Sequence, residues 1–359
     1  MLTASLVGDI AHGAFDPSGM SGQDAADIVR HELAFATCAS VDGQGLPPTS
    51  VPEVLRTAAH RQAMRSIAVS ASATRAAAVL DAAGVRSLAI KGPALAVQTT
   101  GSWLGRGSAD IDVLIPPADC APADLALRDA GCWSRAGYAG PPGRWERFHR
   151  GERVYLGLPA TIDLHWRVDS GPGYFSASFD DLWSRREAVE HDGLDVQSLD
   201  RVDALLVTAE HGAKERWVRW FWALDAVRQV EQLEPSLWPE VARRATIAGC
   251  VRAVDQCLGV ALACGARLPE GIRPTASMEV AACALLEASA AAPSVEWSRR
   301  AALARRRQRW SMADRPAAAT GSLARSVARL IADRRAPGVP QVRATPPPPA
   351  SDGTGAPRG

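Results

Sequence analysis

The run Asp110-Ile111-Asp112-Val113-Leu114-Ile115 reads as a β-strand that carries two carboxylates on one face. Successive side chains of a strand alternate sides, so Asp110 and Asp112 point one way while Ile111 and Val113 point the other. A second strand-like run, Thr161-Ile162-Asp163-Leu164-His165-Trp166, carries a third carboxylate at Asp163. If the two strands lie side by side, three carboxylates converge. Like charges a few ångströms apart raise one another's pKa, and carboxylate oxygens are the ligands that Mg²⁺ takes. The pattern therefore predicts a two-metal site of the kind used in phosphoryl transfer.

Working outward, the two lysines draw notice. Of the 40 basic residues all but Lys91 and Lys214 are arginine. Where lysine has been replaced nearly everywhere, a surviving one suggests a place that needs a compact ammonium and not a planar guanidinium. Lys91 opens Lys91-Gly92-Pro93, in which Gly92 suits a tight strand-to-helix turn and Pro93 the first helical position. Before it, the Ala-rich span from Val54 to Ala83 reads as a helix stopped at Gly84, and Val85 to Ile90 as a buried strand.

Further elements follow the same logic. Helices are expected near Ala25 to Thr37 and from Ala121 to Ala130, and short strands over Trp145 to His149 and Arg153 to Leu158. Beyond Asp200 the pattern turns helical over Val202 to Gln232, Pro239 to Gly265 and Met278 to Ala290. The expected organisation is a partly helical N-terminal extension over 1–55, an α+β unit over 56–200, a helical domain over 201–335 and a disordered Pro/Gly-rich tail over 336–359. No internal repeat is evident.

Composition sets outer bounds. The chain is 359 residues long, 47% hydrophobic and 22% charged, which is ordinary for a globular protein. A net charge of +1 argues neither for nor against a nucleic-acid partner. The N-terminus lacks a basic segment and its apolar run is cut by Asp9, so no secretory leader is expected, and no run is long enough to span a membrane. A cytoplasmic protein is the expectation. Seven cysteines without a Cys-x-x-Cys pair fit neither a disulfide framework nor a zinc site. Cys250, Cys257 and Cys264, seven residues apart, read as small apolar residues on one helix face.

Taken together, Ile90-Lys91-Gly92-Pro93, Arg106 to Ser108, Asp110-Ile-Asp112, Ile162-Asp163-Leu-His165-Trp and His211-Gly-Ala-Lys214 resemble the polymerase-beta-like nucleotidyltransferase superfamily, and within it the bacterial family of uncharacterised nucleotidyltransferases. The resemblance covers Arg61 to Asp225. It implies an α+β fold, a small mixed β-sheet core flanked by helices and followed by a helical domain that closes over the nucleotide. It further implies that Asp110, Asp112 and Asp163 hold two Mg²⁺ ions and that Asp163 helps deprotonate the acceptor. Lys91, Gly92, Arg106, Ser108, His211 and Lys214 would contact an NTP, with ATP the expected co-substrate. Either lysine could neutralise the phosphates. The chain departs from the superfamily pattern in having Gly92-Pro93 where Gly-Ser or Gly-Gly is usual, and in a longer interval to Asp110. Pro93 has no amide hydrogen, so phosphate contacts fall to neighbours such as Arg106 and Ser108.

Several residues keep two readings. Asp110 and Asp112 could be solvated strand residues at an edge. His165 either touches substrate, orients a carboxylate, or is a satisfied core histidine. Trp217, Trp220 and Trp222 pack or form a lid, and an indole could stack on a base. From Arg299 to Arg335 eleven arginines face two aspartates, which suits a solvated helix or a contact with RNA or another polyanion. The expected activity is Mg²⁺-dependent transfer of an NMP to an acceptor hydroxyl or phosphate on a small molecule, protein or RNA, with loss of pyrophosphate. The alternatives are a non-catalytic nucleotide-binding or regulatory module, and a toxin-like enzyme acting on tRNA or protein.

Overall fold

Polar and apolar residues alternate along the strands, so the central sheet has one face sealed under helices and one face on which charged groups can gather. These strands are described in a computed structural model, which covers residues 3–169, 174–291, 304, 307–308 and 310–314. In chain order the helices and strands are α1 (Ala4–Ala11), α2 (Gly22–Arg30), α3 (Ala34–Gly43), α4 (Glu53–Ala82), β1 (Leu88–Ala89), α5 (Pro93–Thr100), β2 (Asp110–Leu114), α6 (Cys120–Asp129), β3 (Trp133–Ser134), α7 (Arg144–His149), β4 (Glu152–Leu156) and β5 (Thr161–His165). They continue with α8 (Phe179–Ser184), β6 (Glu187–His191), β7 (Leu194–Ser198), α9 (Arg201–Glu215), α10 (Trp220–Gln232), α11 (Trp238–Ala248), α12 (Val251–Ala263) and α13 (Ala276–Ala291).

The fold is α+β with a seven-stranded mixed sheet in the order β3-β4-β5-β2-β1-β7-β6. β2 and β5 run parallel, as do β1 and β7, and the other neighbours are antiparallel. Ile111, Val113, Ile162 and Leu164 sit in one core with Val69, Ala73 and Leu80 of α4 and Leu127 of α6. Leu88, Ile90 and Leu114 join a second core built from the helices after residue 201. Val7 and Ile10 of α1 and Ile28 of α2 belong to that same second core, so the N-terminal helices pack with the C-terminal ones. The thirty-residue α4 ties the two together: Leu55 and Ala59 lie in the second core, and its C-terminal half in the first.

Several expected elements divide or change type, each for a local reason. The helix expected from Ala25 to Thr37 breaks at Glu32, which has φ of 60°, while the Leu33 amide donates back to the Ile28 carbonyl at 3.0 Å. The helix expected from Val202 to Gln232 breaks at Arg216 and Trp217, both left-handed. There the Trp217 indole folds back over Gly212, where a Cβ would stand 2.4 Å from the ring, and donates to Gln256 Oε1 at 3.2 Å. Lys214 and Val218 therefore do not share a helical face. Gly249 at φ of 76° likewise divides Pro239 to Gly265 into α11 and α12. Trp145 to His149 is helical, not extended. The Arg147 amide reaches the Gly143 carbonyl at 2.9 Å, and Trp145 and Phe148 stack on one exposed side at helical spacing.

Cys250, Cys257 and Cys264 are buried and unbridged, as expected of apolar core residues. Among the described residues no helix is long and apolar enough to cross a membrane. The arginine-rich stretch 299–335 and the tail 336–359 lie largely or wholly outside the described residues.

Candidate active site

Parallel pairing of β2 with β5 sets Asp112 directly opposite Asp163, and Asp110 opposite Thr161. Register partners share a face of the pleat, so the three carboxylates stand on the face turned away from α4 and α6. Their surroundings differ. Burial works against the charge of Asp112, but Lys91 and His165 overcome it and hold its carboxyl well below the usual range. At Asp163 burial and the charges of Asp112 and Asp110 outweigh the opposing pull of His165, and the carboxyl is pushed up to about 7. At the open end of β2, Asp110 is raised by the cleft walls and by Asp112. Among the described residues neither Asp110 nor Asp163 accepts a hydrogen bond or forms an ion pair.

A chain of polar contacts runs through Asp112. Lys91 Nζ donates to Asp112 Oδ1 at 3.1 Å and to His211 Nδ1 at 3.2 Å. An ammonium has no lone pair, so Nδ1 must be the acceptor, which leaves the imidazole proton of neutral His211 on Nε2. Burial, Lys91 and Lys214 keep that ring neutral by holding its pKa well below 6.5. Trp222 meets it edge-on at 4.8 Å between centroids. On the other side, His165 Nε2 lies 3.0 Å from the same Asp112 oxygen, and its Nδ1 lies 3.3 Å from Glu152 Oε2. Burial lowers the His165 pKa, yet the two carboxylates outweigh it and the ring stands above its ordinary value. His165 is thus an orienter of Asp112.

The strand-to-helix turn has Gly92 at φ 65° and ψ −135°, followed by Pro93 as the first residue of α5. A Cβ at Gly92 would lie 3.5 Å from Ser108 Oγ and 3.6 Å from the Asp110 carbonyl oxygen, so the turn abuts the start of β2. Arg106 is fixed from three sides: Nε to Asp225 Oδ2 at 2.6 Å, Nη1 to Ser108 Oγ at 2.9 Å, and its guanidinium 4.9 Å from the Phe221 ring centre. α10 grips this loop further, through Arg228 to the Gly105 carbonyl at 2.9 Å and Gln232 to the Thr99 carbonyl at 2.6 Å.

The carboxylates, Lys91, His211 and Arg106 border one cleft of about 540 Å³. Lys91, Arg106, Ser108, Asp110, Asp112, Asp163, His211 and Lys214 line it, and Gly92 lies just behind Ser108. Sequence reading missed Glu152, Glu210 and Arg150, which also line it, and Asp225, which anchors Arg106. Glu152 was hidden because its partner, His165, is brought beside it only by β4–β5 pairing. Glu210 could have been found as the residue one helical turn before Lys214.

The donor set is three hard carboxylates, two of them without partners among the described residues, and the chemistry suits Mg²⁺. Lys91 and His165 both claim the same oxygen of Asp112, which leaves its Oδ2 available. Among the described residues no group of three or more His, Cys, Asp or Glu is already gathered in metal-binding geometry.

An α+β scaffold that aligns three carboxylates on neighbouring parallel strands, in a cleft lined by acidic and basic side chains and roofed by helices, defines a protein of the nucleotidyl-transfer class. The family model described as uncharacterised nucleotidyltransferase matches residues 28–264, and the chain belongs to that family. The match begins in α2 and ends after α12, so it takes in the helical cover as well as the sheet. No curated protein and no solved structure gives a significant match.

Proposed function

We propose that the protein transfers an NMP from an NTP, with ATP the expected donor, to an acceptor hydroxyl or phosphate, in a Mg²⁺-dependent reaction that releases pyrophosphate. The observation that carries this reading is the register of Asp112 against Asp163, with Asp110 on the same face and two of the three carboxylates unpartnered. In the proposal these residues hold two Mg²⁺ ions, which when bound neutralise charge on the triphosphate and on the attacking and leaving oxygens.

The chain's own groups supply the rest. Arg106 and Ser108, pinned together, take the phosphate contacts that Pro93 cannot make. Lys214 has an ammonium without an ion pair among the described residues and is free to meet a phosphate oxygen, while neutral His211 offers its Nε2 proton. The Asp163 carboxylate faces the cleft and accepts the acceptor's proton. Phe221 and Trp222 offer flat apolar surface for the base.

One observation favours a second reading, a nucleotide-binding module without turnover: Lys91 and His165 together occupy Oδ1 of Asp112. The two separate in one experiment. The purified chain and Asp110→Asn are incubated with labelled ATP, GTP, CTP or UTP, Mg²⁺ and a cell extract. Transfer that Asp110→Asn abolishes supports the enzyme. Mg²⁺-dependent NTP binding without transfer supports the module.

A further inference from the structure

Val207, Glu210, His211, Lys214 and Glu215 all face the cleft from α9, at the spacing of one helix face. His211 is engaged by Lys91. Glu210 is 5% exposed, and among the described residues no group donates a hydrogen bond to its carboxylate or pairs with it. Lys214, one turn on, attracts its charge without closing to an ion pair, and Asp314 opposes it. Burial, the larger effect, pushes the carboxyl up to about 8.

An unpartnered buried carboxylate costs stability, and an amide or apolar side chain of similar size would fill the same space without that cost. Such a group, facing a cleft, is best explained by a ligand that supplies the missing partner. The chemistry of that ligand follows from the neighbourhood. Arg106, Ser108 and Lys91 lie on the flank where β1 and β2 meet, with Phe221 and Trp222 beside them. Lys214 acts on Glu210 and also on Glu152 of β4, so these three groups share one region of the cleft. There Glu152, Glu210 and Glu215 outnumber Lys214 and Arg150.

We propose that Glu210 recognises the acceptor: its carboxylate binds a protonated amine carried by the molecule whose hydroxyl or phosphate receives the nucleotide. This rests on the nucleotidyl-transfer reading above. The acceptor is then a cationic, amine-bearing compound.

The test is calorimetric titration of the full chain, loaded with Mg²⁺ and a non-hydrolysable ATP analogue, with glucosamine and with glucose, which differ by one amine in place of a hydroxyl. Wild type should prefer glucosamine by about tenfold or more, and Glu210→Gln should bring the two within about twofold, leaving the affinity for the ATP analogue unchanged. Glu210→Asp should retain part of the preference. Because the amide cannot ionise, Glu210→Gln should melt at or above the wild-type temperature at pH 9, where the Glu210 carboxyl is charged. A glucosamine preference that is absent, or that survives Glu210→Gln, overturns the inference, as does a lower melting temperature of that variant. Analogue binding without an amine preference overturns this inference alone. Failure of the analogue to bind the wild-type chain overturns the transfer reading and this inference with it.

Discussion

Asp112 and Asp163 face each other across the parallel β2–β5 pair, yet they sit on opposite sides of the ordinary carboxylate range: Asp112 is held well below it and Asp163 is pushed up to about 7. Two identical side chains at one register position diverge because Lys91 and His165 both bond to the first and neither bonds to the second. The pair is polarised before any ligand arrives.

A pH dependence follows for the metal-free protein. In the unfolded chain Asp163 loses its proton near 3.8, the ordinary value for an aspartate, and in the folded chain near 7. Between those values the folded state holds the extra proton, so raising the pH through this window lowers stability. Melting temperature in EDTA should fall from about pH 4 to pH 7 by more in wild type than in Asp163→Asn. Added Mg²⁺ should raise it more at pH 8 than at pH 5, because protonation and metal binding compete.

The carboxylate strands were legible because their chemistry is local: Asp-Ile-Asp and Ile-Asp-Leu carry face and polarity within a few residues, and Gly92-Pro93 marks a turn by backbone geometry alone. What was not legible depends on distant partners. Nothing near His165 in sequence distinguishes an orienter from a core histidine; only its approach to Asp112 and Glu152 does. The β6–β7 hairpin was missed because Glu187-Ala-Val-Glu-His191 is mostly polar and gives little apolar alternation. Trp145 to His149 misled because its aromatics are exposed, so their spacing reports no buried strand face.

Loss of the orienting imidazole should loosen Asp112 without unfolding the chain. His165→Ala should lower transfer and Mg²⁺ affinity by about 10- to 100-fold. His165→Gln, able to donate one hydrogen bond, should recover part of both, as read by steady-state kinetics and metal titration.

Arg106 and Asp225 form an ion pair whose side chains are 8% and 2% exposed. Removing one partner strands the other charge in the interior, so Asp225→Ala should cost about 3–5 kcal/mol in urea unfolding. It should also weaken NTP binding, since Arg106 then keeps only Ser108 and the Phe221 ring to hold it.

At Gly92 space is not the constraint, because a Cβ would make ordinary contacts, but φ 65° with ψ −135° is a conformation that L residues avoid. Gly92→Ala should destabilise the protein by about 1–3 kcal/mol. Its effect on transfer should exceed that loss if the turn positions Ser108 and the start of β2, a comparison made at a temperature where both chains are folded.

The most direct test follows the label. The protein is given Mg²⁺ and ATP labelled either at the α- or at the γ-phosphate, with a cell extract as acceptor source. The account predicts that α-label enters the acceptor, that γ-label leaves as pyrophosphate, and that Asp110→Asn abolishes both. Transfer of γ-label to the acceptor, or α-label transfer that persists undiminished in Asp110→Asn, would contradict it.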